Sequence, residues 1–68
     1  MRLTSLKLRR FERGLLQLEV ARRAEIAWGR LSEIENGRVD PQPDEVQRIA
    51  TALGISAQHL LGLAPRAR

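Results

Sequence analysis

The sequence predicts an all-α fold, a compact five-helix bundle built by a single domain over residues 1–68. Three observations carry this. Apolar residues recur at helical intervals along the chain, and no stretch alternates for long enough to make a strand. Gly14, Asn36-Gly37, Gly54 and Gly62 punctuate the pattern, so each helix is short and each connection is only a few residues long. A chain of 68 residues buries only roughly 60% of its unfolded surface, so the core must be compact and local, and short helices with short links leave a bundle.

The elements follow in order. Leu3, Leu6 and Arg10, with Lys7, Phe11 and Arg13, fit a first helix over about residues 5–13, which Gly14 stops. Leu18, Ala21 and Arg22 mark a second helix over 17–24, with Val20 and Ala24 helping to face the core. The third, over 28–35, holds Leu31 and Ile34 as apolar anchors and ends at Asn36-Gly37. A helix of about two turns cannot hold itself together in water, so its polar outer face needs a reason to be presented. Asp40-Pro41-Gln42-Pro43 is a rigid loop, because each proline fixes its own φ and pushes the residue before it out of helix. Proline and the acids Asp44 and Glu45 then open a fourth helix over 44–53, whose stripe is Val46, Ile49, Ala50 and Leu53 and whose stop is Gly54. Ser56 is the expected N-cap of a last helix over 56–61 carrying Leu60 and Leu61, and residues 62–68 form a fraying tail.

Composition narrows the function. The formal charge is +4, and it is unevenly spread: residues 1–38 hold nine Arg/Lys against five acids, residues 39–68 three against three. The N-terminal half therefore offers a basic face to a polyanion. Phe11 and Trp28 are the only aromatics, too few for the stacking platforms of single-strand binders. With no cysteine and one histidine, His59, disulfides and typical zinc sites are excluded. His59 is expected on the exposed side of the last helix. The carboxylates show no evident catalytic pair and no glycine-rich phosphate loop follows a strand, so no enzyme, metal or cofactor is implied. No apolar run approaches the roughly 18 residues of a membrane span, and the start M-R-L-T-S-L-K-L-R-R is too charged for a signal peptide. A cytoplasmic location away from membranes is expected.

Two segments at a fixed spacing then resemble a known family. The run G-L-L-Q-L-E-V-A-R-R-A-E-I-A-W-G-R-L-S-E-I-E-N-G-R, a P-x-P, and I-A-x-A-L-G-I-S-x-x-x-L-L look like the phage repressor and Cro type (XRE-like) helix-turn-helix DNA-binding domain, with its lambda-repressor-like fold. The resemblance covers about Leu6 to Gly62, and either fragment alone would be weak. It implies that the helix at 17–24 crosses the DNA backbone while the helix at 28–35 enters a major groove about 12 Å wide. That accounts for the short third helix: it is a reading head, anchored from behind by Leu31 and Ile34.

The resemblance also implies roles for single residues. Gln17, Asn36, Arg38 and Arg10 fall on positions that meet the sugar-phosphate backbone. Arg10 and Glu35 match a pair the family often joins as a partly buried salt bridge, which makes Arg10 chiefly structural. Base-reading positions are Trp28, Gly29, Arg30, Ser32 and Glu33. Arg30 either forks onto guanine or grips a phosphate, and Glu33 accepts from a cytosine amino group. Gly29 either permits a close backbone approach or is simply tolerated. Trp28 either packs on a thymine methyl or sugar edge, covers a core edge, or meets a partner protein. The chain departs from the family pattern at three places: Leu16 and Ala27 stand where Ser or Thr caps usually sit, and Glu25 stands at the turn glycine. A lost cap costs about 1 kcal/mol, and glutamate is disfavoured in a left-handed turn.

The function expected is a sequence-specific double-stranded DNA-binding transcriptional regulator, a repressor acting as a homodimer, since one helix contacts too few base pairs. Ile55, Leu60, Leu61 and Leu63 exceed the obvious needs of one small core, so that some of them, with Ala57 nearby, are the dimer-contact candidates; the alternative is that all are core. The alternative is a protein-interaction module of the same fold, for example an antitoxin-like binder, with weak or no specific DNA binding.

Overall fold

A computed structural model describes residues 6–60 of the 68. Five helices follow one another without a strand among these residues: α1 Leu6–Glu12, α2 Gln17–Ala24, α3 Trp28–Glu35, α4 Pro43–Leu53 and α5 Ala57–Leu60. The expected bounds of α2 and α3 are met, and α4 begins one residue early because Pro43 itself takes the first helical position. Ser56 caps α5 as expected, its Oγ accepting the His59 N–H at 3.0 Å, and His59 is exposed. Leu3, the start at Ser5, Leu61, Leu63 and the tail 62–68 lie outside the described residues.

The core is built by Leu6, Val20, Ala21, Ala24, Ile26, Leu31, Ile34, Val46, Ile49, Ala50, Leu53 and Leu60. α4 is its spine, packing against both α2 and α5, while α2 also packs on α3. Two expectations are corrected here. Leu18 marks α2 but lies at the rim, 37% exposed, and the buried face is made by Val20, Ala21 and Ala24. Leu60 is fully buried within the protomer, because the capped turn of α5 drives it under α4, so it offers no surface to a second copy. Ile55 and Ala57 are only partly buried and pack at the edge of the same core.

One chain-closing device ends α1 to α4. A left-handed residue follows each helix, and the next amide reaches back five residues: Leu15 to the Arg10 carbonyl at 3.1 Å, Ile26 to Ala21 at 2.9 Å, Arg38 to Glu33 at 2.9 Å and Ile55 to Ala50 at 3.0 Å. The left-handed residue is Gly14, Gly37 or Gly54 in three cases and Glu25 (φ 57°) in the fourth. The turn between α2 and α3 is therefore not reshaped to avoid the glutamate. It keeps the left-handed geometry at a cost of about 1–2 kcal/mol, and two contacts help hold it. Ile26, next in the chain, is 8% exposed and seated in the core. Arg48 of α4 reaches across with Nη1 to the carbonyls of Ala24 (3.2 Å) and Glu25 (3.0 Å), while its Nη2 pairs with Asp44 at 3.1 Å.

Candidate nucleic-acid interface

Helical pitch decides what α3 presents. Leu31, Ile34 and Glu35 are its buried residues. At 3.6 residues per turn, Gly29 and Glu33 fall on the side opposite them, Trp28 and Ser32 on one flank, and Arg30 on the other. Gly29 and Glu33 are exposed and Ser32 is half-buried. The outermost surface of α3 thus carries one small residue and one carboxylate.

Both flanks are braced. On the α2 side, the Trp28 indole Nε1 donates to Gln17 Oε1 at 2.6 Å. The Gln17 Nε2 in turn donates to Glu35 Oε1 at 3.0 Å. Only this orientation of the amide serves both neighbours, since the indole can only donate and the carboxylate can only accept. Glu35 is held from below by Arg10, whose Nε and Nη2 donate to its two oxygens at 2.8 and 3.0 Å. The Arg10 Nη1 closes the chain on the Leu15 carbonyl at 3.1 Å, and its guanidinium lies over the Phe11 ring, 4.9 Å from the centroid. The side chains of this pair are 9% and 0% exposed, so the expected Arg10–Glu35 bridge is present and more deeply buried than a surface pair. Arg10 has the chiefly structural role expected of it: each nitrogen of its guanidinium makes a bond inside the protomer, and the side chain braces the interface from beneath.

On the α4 side, Arg30 Nε and Nη2 meet the two Glu45 oxygens at 3.0 and 2.8 Å. The guanidinium expected either to fork onto guanine or to grip a phosphate thus has this edge engaged inside the protomer. Glu45 also accepts the Gln42 N–H at 2.8 Å, which closes the first turn of α4. These hydrogen bonds, that from Arg30 foremost, hold the Glu45 carboxyl below the usual glutamate range, and the same bond raises the Arg30 guanidinium above its ordinary value.

The ends of the two helices complete the surface. Leu16 and Ala27 provide no side-chain cap, as their chemistry requires. α2 recovers part of the loss because Glu19 reaches back to the Leu16 N–H at 2.7 Å. No side chain caps α3, which leaves its first N–H groups pointing outward, where the helix dipole favours an anion. Beyond α3, Asn36 and Arg38 are exposed on the Gly37 turn, and Lys7 of α1 donates to Asn36 Oδ1 at 3.3 Å. Lys7, Gln17, Asn36 and Arg38 thus hang on α1, α2 and the turn that closes α3, with the start of α3 beside Gln17 through the indole contact.

A family model for the helix-turn-helix domain of Cro/C1 type, the XRE family, matches residues 6–60. The chain belongs to that helix-turn-helix family. None of the curated proteins matches it. This helix-turn-helix family is one of DNA-binding transcription regulators and is not typically enzymatic. Within the described residues no helix is long and apolar enough to cross a membrane.

In the helix-turn-helix frame, α2 and α3 are the two helices that flank the turn. Sequence reasoning missed two residues of α4 that brace this unit. Glu45 reads in sequence as an acid at a helix start, and nothing in spacing ties it to Arg30, fifteen positions earlier. Arg48 reads as a solvent cation on the polar side of α4, although it fastens the end of α2.

Proposed function

We propose that the chain is a sequence-specific double-stranded DNA-binding repressor that acts as a homodimer in the cytoplasm. The observation that carries this reading is the bracing of α3: Trp28–Gln17–Glu35–Arg10 on one side and Arg30–Glu45 on the other fix a two-turn helix whose outer face makes no contact with its own core. Rigid placement of that kind is what a probe inserted into a groove needs, since fixed side chains lose less entropy on docking. Base reading falls to Gly29, Ser32 and Glu33 with Trp28 at the groove edge, where the indole ring can lie on a thymine methyl. Backbone contacts fall to Gln17, Asn36 and Arg38. Gln17 retains one amide proton beyond the bond to Glu35, enough to hold a phosphate oxygen while the indole fixes its orientation. A single reading helix covers few base pairs, so two copies would read half-sites about 34 Å apart. Ile55 and Ala57, partly buried at the core edge, support that contact among the described residues, and the candidates Leu61 and Leu63 lie outside them.

Binding selection from a random duplex pool near physiological salt tests this. The expected result is an enriched palindrome, with affinity falling with salt at a log–log slope of about −0.9 per phosphate contact. Gln17→Ala should weaken binding on all sequences alike, and Glu33→Ala should relax preference at one position. Absence of any enriched sequence would overturn the reading. One observation favours a second function, a protein-interaction module: Trp28 is 57% exposed, more than an indole spent on packing. That reading predicts loss of a protein complex on Trp28→Ala and only a shallow, sequence-blind association with DNA.

A further inference from the structure

Arg30 leaves the reading helix on its α4 flank and is caught there. Its Nε donates to Glu45 Oε2 at 3.0 Å, its Nη2 to Glu45 Oε1 at 2.8 Å, and the same Nη2 reaches the Asp40 carbonyl at 3.4 Å. A guanidinium has five N–H donors, one on Nε and two on each terminal nitrogen. Three are committed within the protomer, and the two that remain among the described residues are both on Nη1. Bidentate recognition of guanine needs donors from two neighbouring nitrogens, either Nε with Nη2 or Nη1 with Nη2. Glu45 occupies the first edge. The second lacks a free Nη2 proton. A single nitrogen is left, which matches one phosphate oxygen and carries no base information.

Glu45 is itself held in place. Its Oε1 accepts the Gln42 N–H at 2.8 Å, the bond that closes the first turn of α4 behind Pro43. Its side chain is only 11% exposed against 34% for Arg30, so the carboxylate is the fixed member and the guanidinium the one brought to it.

We propose that Glu45, a residue outside the helix-turn-helix itself, is a specificity-determining residue of the interface: it withholds the Arg30 fork from guanine, restricts Arg30 to one backbone phosphate, and leaves base choice to Glu33 and the Gly29 surface. This rests on the DNA-regulator reading above. It makes the outward face of α3 a reader whose one charged base contact is an acceptor, suited to a cytosine amino group.

The test is duplex selection run in parallel on the native chain, Glu45→Gln, Arg30→Ala and the double variant, with thermal melts to confirm folding. Glutamine keeps the shape and the acceptor toward Gln42 but not the charge that holds the fork. Glu45→Gln should acquire a guanine at one position of each half-site, enriched about tenfold, within what a bidentate pair discriminates. The double variant should lose it again. Arg30→Ala alone should select the native motif, with a salt slope shallower by about 0.9 for each half-site. An unchanged motif in folded Glu45→Gln, or a guanine lost from the motif of Arg30→Ala, overturns the proposal. The Arg30→Ala arm decides alone should Glu45→Gln not fold. If the native chain enriches no motif at all, the regulator reading fails and this inference fails with it, an outcome distinct from the other two.

Discussion

Gly29 offers the sharpest test of how the reading helix is made, because one substitution should move stability and DNA affinity in opposite directions. The residue lies in the first turn of α3, on the side away from Leu31 and Ile34. A Cβ placed there meets no other atom within 4 Å. Nothing in the free protein therefore resists Gly29→Ala. The gain is the helix preference of alanine over glycine, about 1 kcal/mol, part of it through the narrower unfolded ensemble. For a domain of this size that corresponds to a rise in Tm of about 4–8 °C, read by circular dichroism and confirmed by a urea midpoint that shifts at unchanged m. In the proposed complex the same methyl group lies on the surface offered to the groove. If the α3 backbone approaches the bases closely there, an extra methyl overpacks a filled interface at a cost of about 1–3 kcal/mol, or roughly a fivefold or greater loss of affinity for the selected duplex. The salt slope should not change, since no phosphate contact is touched. A variant no more stable than the native chain would refute the account of α3 as an unobstructed helix. Undiminished DNA affinity would refute the close approach and leave Gly29 merely tolerated.

Glu25→Gly removes the strain of a left-handed glutamate, about 1–2 kcal/mol, against an unfolded-state cost of about 0.4–1 kcal/mol; Tm should rise by a few degrees, Glu25→Ala should give no such gain, and an equal gain from both would show that the turn is unstrained. Arg10→Met should cost about 3–5 kcal/mol, because the Glu35 side chain is fully buried and keeps only the Gln17 amide; Arg10→Met with Glu35→Leu should recover much of that in chemical denaturation, and a double variant no more stable than the single would show that the charge was never the problem. Glu45 is held below its unfolded value of about 4.3, so its stabilising effect is complete above that pH and is lost as pH falls through the lower folded value. Urea midpoints taken from pH 7 to pH 2.5 should fall more steeply below about pH 4.3 for the native chain than for Glu45→Gln, and parallel profiles would remove Arg30 as the partner that matters.

Local signals settled most of the architecture. The bounds of α2 and α3, the proline start of α4, the Ser56 cap and the glycine stops are all written within a few residues of where they act. Each depends on backbone geometry that a single turn of chain decides. The family resemblance carried by the E-N-G-R and A-L-G-I-S segments implied a reading role for the third helix and a pairing of Arg10 with Glu35, and that pairing is present. Tertiary structure alone decided which polar side chains remain available to a partner. Arg10 and Arg30 are the same residue type on two short helices, yet packing draws the first wholly inward and the second onto Glu45. Glu25 could keep its left-handed backbone because the next residue, Ile26, is seated in the core and Arg48 reaches its carbonyl from α4. Those outcomes rest on side chains distant in sequence converging in space, and a hydrogen bond of that kind leaves no periodicity along the chain from which to read it.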